Sequence, residues 1–133
     1  FWEVIENDLP ILASHSNTRK ICPHVRNLED DQIKALIERK GLIGVTFVPQ
    51  FVHDENPSIN HILKHIEHVC MLGGEDHLFF GSDFDGIEKK VPQLENAGKL
   101  YKLKEALLKR YNEMLVKKWM WGNGYQFYIK HLE

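Results

Sequence analysis

Short apolar segments and amphipathic helical patterns alternate along most of this 133-residue chain. The clearest apolar segment runs from Leu42 to Val48, is rich in β-branched residues, and is followed by Pro49. Helical patterns lie on both sides of it, at residues 27–40 and 56–72. Alternation of this kind predicts parallel strands that are joined by right-handed helical crossovers. The sequence therefore predicts an α/β fold.

Turn and capping residues set the expected limits of the elements. The predicted strands are residues 9–14, 42–48 and 77–81. Asn27 is expected to cap the first crossover helix, and Gly41 to end it. Asn56-Pro57 is expected to open the second, and Gly73-Gly74 to end it. The remainder is predicted to be helical, with a break at residues 122–124 before a short last helix.

Three parallel strands are too few for a complete sheet, because strands buried on both faces need neighbours. They fit the closing part of a (β/α)8 barrel or a fragment of an open sheet. We favour the barrel, which places its active site at the carboxyl ends of the strands. The residues of this chain that could carry chemistry follow the predicted strands at those ends. We therefore expect residues 1–133 to be one portion of a single barrel domain.

Composition excludes several classes of protein. The net charge is −2, so a nucleic-acid partner is not expected. Cys22 and Cys70 form neither a metal-binding pair nor a disulfide framework, which favours a reducing, cytoplasmic location. No apolar run has the length needed to cross a bilayer, and no membrane partner is expected.

Three residues near the predicted strand ends could carry chemistry. His15 and Asp83 follow the first and third strands, where an imidazole and a carboxylate suit a zinc site or proton transfer. Each could instead be structural, as a hydrogen-bonded strand-end histidine and a turn-forming aspartate. Arg26 could bind a carboxylate with its planar fork. It could instead be a surface arginine, or one paired with Asp30. The basic loop residues nearby are expected to be solvated: Arg19, Lys20 and His24. The face with His61, His65 and His68 is expected to be solvated or to contact a partner.

Three segments carry a family resemblance. "ILASHSNTRKICPHVRNLEDDQI", "GLIGVTFVPQFV" and "HLFFGSDFDG" resemble the membrane dipeptidase family of zinc peptidases. The resemblance implies an amidohydrolase-like TIM-type barrel and hydrolysis of dipeptides at two zinc ions. It implies that His15 is a zinc ligand, that Arg26 contacts the substrate carboxylate, and that Asp83 lies beside the scissile bond. Phe51 matches a position at which the family often has a pocket-lining tyrosine.

The chain also departs from that pattern. No His-x-Asp motif occurs in it, and no bridging glutamate is evident, so at most a partial zinc site is expected. We expect the C-terminal portion of a dipeptidase, inactive alone. Its expected partners are a dipeptide and the N-terminal part of the barrel, with homodimerisation as an option. Two alternatives stay open: a non-catalytic interaction module, and another amidohydrolase-type metal hydrolase such as a deoxyribonuclease.

Overall fold

Three parallel strands form the sheet of this protein. The computed structural model describes residues 2, 11–13, 16–81 and 90–132, the last two of these by backbone only. The strands are β1 (Leu12–Ala13), β2 (Leu42–Val45) and β3 (Leu78–Phe80), in the order β1-β2-β3. Both pairings are parallel. Every residue of β2 is buried, as expected for a strand with cover on both faces. The predicted α/β class is confirmed.

Helices connect and follow the strands. The α-helices are α1 (Asp30–Glu38), α2 (Pro49–Val52), α3 (Ile59–Met71), α4 (Leu100–Leu108), α5 (Glu113–Lys117) and α6 (Asn123–Leu132). A 3-10 turn at Ala97–Lys99 precedes α4, and a π-helical stretch at Lys118–Gly122 joins α5 to α6. The apolar faces of α1 and α3 contribute Ile33, Leu36, Ile62 and Ile66 to the core around β2.

The start of α1 corrects one prediction. Glu29 is the capping residue, and its N–H donates to Gln32 Oε1 at 2.9 Å. Asn27, the expected cap, is instead buried in the preceding loop. The helix ends before Lys40, which takes a left-handed φ of 56°. The neighbouring Gly41 is needed for a different reason, because a Cβ there would lie 2.7 Å from a backbone oxygen of Ile11.

The limits of α3 also differ in part from the prediction. Ser58 caps the helix, with its Oγ accepting from the His61 N–H at 3.4 Å, so the expected start at Asn56-Pro57 is wrong. Pro57 is instead the residue before the cap. The expected end is confirmed, since Gly73 has a φ of 91° directly after the last turn. Glycine adopts that conformation at little cost.

The expected break at residues 122–124 is wrong. The π-helical stretch continues directly into α6, and Asn123 lies buried at the junction. Its Nδ2 donates to the carbonyl oxygens of Glu75 and Leu78, at 3.0 and 2.9 Å. The indole N–H of Trp119 also donates to Glu75, at 3.0 Å. These bonds hold the π-helical stretch and the start of α6 against Glu75 and the first residue of β3.

Candidate active site

The two loops that leave β1 and β3 meet at the carboxyl end of β2. Ser16 N–H donates to the carbonyl of Gly44 at 2.9 Å, and Gly81 N–H donates to that of Val45 at 2.9 Å. The carboxyl ends of all three strands therefore lie along one edge of the sheet. In barrels of parallel strands, catalytic groups are supplied from this edge.

Two of the four predicted site residues lie outside the described residues, namely His15 and Asp83. Ser16 directly follows the first, and Gly81 precedes the second by two positions. Both described neighbours bind β2, as stated above. The roles of His15 and Asp83 remain predictions.

The other two predicted residues are brought together. The Arg26 guanidinium carbon lies 5.9 Å from the centre of the Phe51 ring, within the range of a cation–π contact. Arg26 is exposed, whereas Phe51 is only 9% exposed. Among the described residues, no carboxylate lies within 4.0 Å of the guanidinium, so the alternative pairing of Arg26 with Asp30 does not form. Within that part of the chain, the guanidinium has no ion pair that would compete with an anionic ligand.

Two buried asparagines fix the segment that carries Arg26, which we call the Arg26 loop (residues 17–28). Asn17 Oδ1 accepts from Thr46 N–H at 2.8 Å, and its Nδ2 donates to the Thr46 and Phe51 carbonyls at 3.1 and 3.2 Å. Asn27 Nδ2 donates to the carbonyls of Cys22 and Phe51, at 3.0 and 2.9 Å. The Phe51 backbone is thus the common anchor of the loop.

Arg19 stabilises the same loop from within. Its guanidinium donates to Glu29 at 2.6 Å, and to the carbonyls of Val25 and Asn27 at 2.9 and 3.1 Å. The expectation of a solvated Arg19 is therefore wrong. His24 is also not simply solvated, because its ring centre lies 4.5 Å from that of Phe51. Lys20 is exposed, as expected.

His65 is the polar group at the base of this site that the sequence interpretation missed. It is 0% exposed, accepts from Thr18 N–H through Nδ1 at 3.1 Å, and donates to the Val52 carbonyl through Nε2 at 2.7 Å. Burial lowers the pKa of His65 from 6.5 to about 4. The expectation of a solvated histidine face is also wrong for His68, whose partly buried Nε2 lies 2.8 Å from Asp30.

The described residues do not form a metal site by themselves. No three His, Cys, Asp or Glu side chains converge within the described ranges. Both ring nitrogens of His65 are hydrogen-bonded to backbone groups, so it has no lone pair for a metal. Burial raises the pKa of the Cys22 thiol, and that of Cys70 to about 11, which disfavours the thiolate that zinc binds.

Comparison with known proteins decides the family. The model of the membrane dipeptidase family, peptidase family M19, matches residues 1–128. The chain belongs to this family. This M19 chain is 35% identical over 103 residues to the dipeptidase tcpJ of Claviceps purpurea, which covers 76% of the chain and 24% of that protein. It is 32% identical over 129 residues to an uncharacterised Klebsiella pneumoniae protein from the pqqA 5′ region. That match covers 92% of this chain and 48% of the Klebsiella protein.

Solved M19 structures share the fold. One M19 metallopeptidase, a dipeptidase, superposes with a TM-score of 0.88 at 30% identity, covering 94% of this chain and 39% of its own. A Rhodobacter sphaeroides metallopeptidase, liganded with a phosphinate mimic of L-Ala-D-Ala, superposes with a TM-score of 0.86 at 32% identity. The superposition covers 94% of this chain and 37% of that metallopeptidase. The predicted TIM-type barrel class is confirmed. The M19 chain spans about half or less of the relatives it matches.

The described helices are relevant to the question of a membrane span. Within the described ranges, no helix combines the length and the apolar character that a bilayer span requires.

Proposed function

We propose that this M19 chain forms the carboxylate-binding side of the active site in a zinc-dependent dipeptidase. One observation carries the proposal: the exposed Arg26 guanidinium lies over Phe51 at the sheet edge, without a carboxylate partner among the described residues. A planar guanidinium binds a carboxylate through two parallel hydrogen bonds. The C-terminal carboxylate of a dipeptide is a ligand that matches this geometry.

The proposal assigns a role to each predicted residue. Arg26 binds the terminal carboxylate, and the Phe51 ring supports the guanidinium and offers an apolar surface to the substrate side chain. Asp83 takes a proton from the attacking water and passes it to the leaving amine. His15 would be a zinc ligand, since a neutral imidazole suits zinc. Zinc, when bound, would act as a Lewis acid toward the scissile carbonyl.

The zinc site would need ligands beyond these residues. His15 is the only ligand that the resemblance assigns here, and the described residues add no three-ligand cluster. We propose that the N-terminal part of the barrel supplies the remaining ligands. The 133 residues alone should therefore neither retain two zinc ions nor hydrolyse dipeptides. Dipeptide hydrolysis by the pure, zinc-loaded 133-residue chain would contradict this part of the proposal.

The test compares Arg26→Ala with the unmodified sequence in the complete enzyme, using a dipeptide and the same dipeptide with a C-terminal amide. Loss of a hydrogen bond to a charged group costs about 1.5–3 kcal/mol, or about 10- to 150-fold in KM. We expect that rise for the dipeptide and little change for the amide, because the amide lacks the carboxylate.

Lys20→Ala is the matched control. It removes one exposed positive charge from the same loop, without touching Phe51. We expect it to leave both KM values within about twofold, since exposed charges contribute little. An Arg26→Ala enzyme whose KM rises equally for both substrates, or for neither, would contradict carboxylate binding by Arg26.

A further inference from the structure

We propose that His65 is a positioning residue for substrate binding, because it holds the Arg26 loop against the segment that carries Phe51. The inference rests on the function proposed above, in which Arg26 binds the substrate carboxylate. It concerns a residue on α3 that has no proposed contact with substrate or metal.

One ring connects the two segments. His65 lies in the middle of α3, fully buried, and its ring is rigid. Through Nδ1 it accepts from the N–H of Thr18, at the start of the Arg26 loop, at 3.1 Å. Through Nε2 it donates at 2.7 Å to the carbonyl of Val52, which follows Phe51. A shift of either segment would break one of these bonds.

Thr18 is a point at which the whole loop can be fixed. It forms a parallel bridge with Leu28, whose N–H donates to the carbonyl of Asn17 at 2.8 Å. The first and last residues of the Arg26 loop are therefore joined beside Thr18. Leu28 lies two positions after Arg26, so a bond from His65 to Thr18 restrains both ends of the segment that carries the guanidinium.

The hydrogen bonds require a neutral imidazole with its proton on Nε2. A protonated ring would direct a second N–H at the Thr18 N–H, and the bond would be lost. Burial is the largest cause of the lowered pKa of His65, and the bond to Val52 opposes it. The neighbouring histidines also disfavour a positive charge there: His53, His61 and His68. The ring therefore keeps its acceptor for Thr18 at neutral pH.

The test uses two substitutions in the complete enzyme. His65→Leu removes both bonds, whereas His65→Asn is chosen to keep an acceptor near Thr18. We expect His65→Leu to raise KM for a dipeptide about fivefold to tenfold, with kcat within about twofold, and His65→Asn to recover part of the loss. KM for the dipeptide amide should change little.

His77→Asn is the matched control. His77 also bonds a backbone carbonyl, that of Gly41 at 3.0 Å, but at the amino end of the strands. We expect its KM values for both substrates to stay within about twofold. A His65→Leu enzyme that loses kcat equally on both substrates would show a merely structural role and overturn the proposal.

A double substitution separates the two proposals. If Arg26 binds the carboxylate and His65 acts through it, His65→Leu should add little to the KM of Arg26→Ala. If the two substitutions raise KM additively, the His65 proposal alone is overturned. If Arg26→Ala does not raise KM specifically for the dipeptide, the proposed function is overturned.

Hydrogen exchange provides a second route if the leucine variant does not fold. In the unmodified enzyme, the Thr18 amide should exchange far more slowly than the amides of exposed loop residues. Equally fast exchange would overturn the proposal.

Discussion

Lowering the pH should destabilise this protein through His65, and the size of the effect follows from its burial. The pKa of His65 is about 4 in the folded protein, against 6.5 for an ordinary histidine. Below pH 6.5 the unfolded chain therefore binds a proton that the folded chain does not bind. The free energy of unfolding falls as the pH decreases, and the loss is complete near pH 4.

The magnitude can be worked out from the two pKa values. Each unit of difference between the two pKa values corresponds to about 1.4 kcal/mol, so the full difference corresponds to about 3 kcal/mol. Between pH 6.5 and pH 5 the expected loss from this one group is about 2 kcal/mol. The contribution of His65 disappears above pH 6.5, because both states are then neutral.

Chemical denaturation at several pH values, followed for the unmodified protein and for His65→Asn, isolates this effect. Other titrating groups are common to both proteins, so they cancel in the difference. The variant should be less stable at pH 7, because the bond to Val52 is lost. At pH 5 the difference in free energy of unfolding between the two proteins should be smaller by about 2 kcal/mol. A gap that stays constant between pH 7 and pH 5 would refute the reasoning.

Three further predictions, one of them with a control substitution, follow from the structure and the proposal. Gly41→Ala should cost about 1–3 kcal/mol in chemical denaturation, because its Cβ would meet the Ile11 carbonyl. Gly124→Ala, where nothing lies within 4 Å, should cost nothing, and equal effects would contradict the packing argument. Asn123→Ala should lower the free energy of unfolding by about 1–3 kcal/mol, because it removes two hydrogen bonds and leaves the Glu75 carbonyl with the Trp119 indole alone. An unchanged free energy of unfolding would contradict this. Asp83→Asn should lower kcat by about 10²- to 10⁴-fold with little change in KM; a pure KM effect would argue against proton transfer.

The order of strands and helices was predictable because it depends on periodicity alone. The first part of the apolar segment before Pro49 forms β2 (Leu42–Val45), and the predicted glycine stop at Gly73-Gly74 is confirmed. The cap predictions failed where two polar residues competed for one role. Asn27 and Glu29 are both plausible at a helix start, and only the buried contacts of the Arg26 loop decide which one caps α1.

Arg26 and Phe51 lie in contact, while the site roles inferred for them from sequence stay predictions. Arg19 and His65 were missed because their partners are backbone atoms distant in sequence, and periodicity carries no information about such atoms. One signal for His65 was available. It lies between Ile62 and Val69 at the spacing of the apolar face of α3, which indicates a buried histidine. Its hydrogen bonds could be found only once the loop was placed.

A crystal structure of the complete enzyme with a phosphinate dipeptide mimic would test the central claim most directly. The account predicts two hydrogen bonds from the Arg26 guanidinium to the terminal carboxylate of the mimic, with the Phe51 ring beneath, His15 on a metal and Asp83 at the phosphinate. A carboxylate bound elsewhere, with Arg26 directed to solvent, would contradict it.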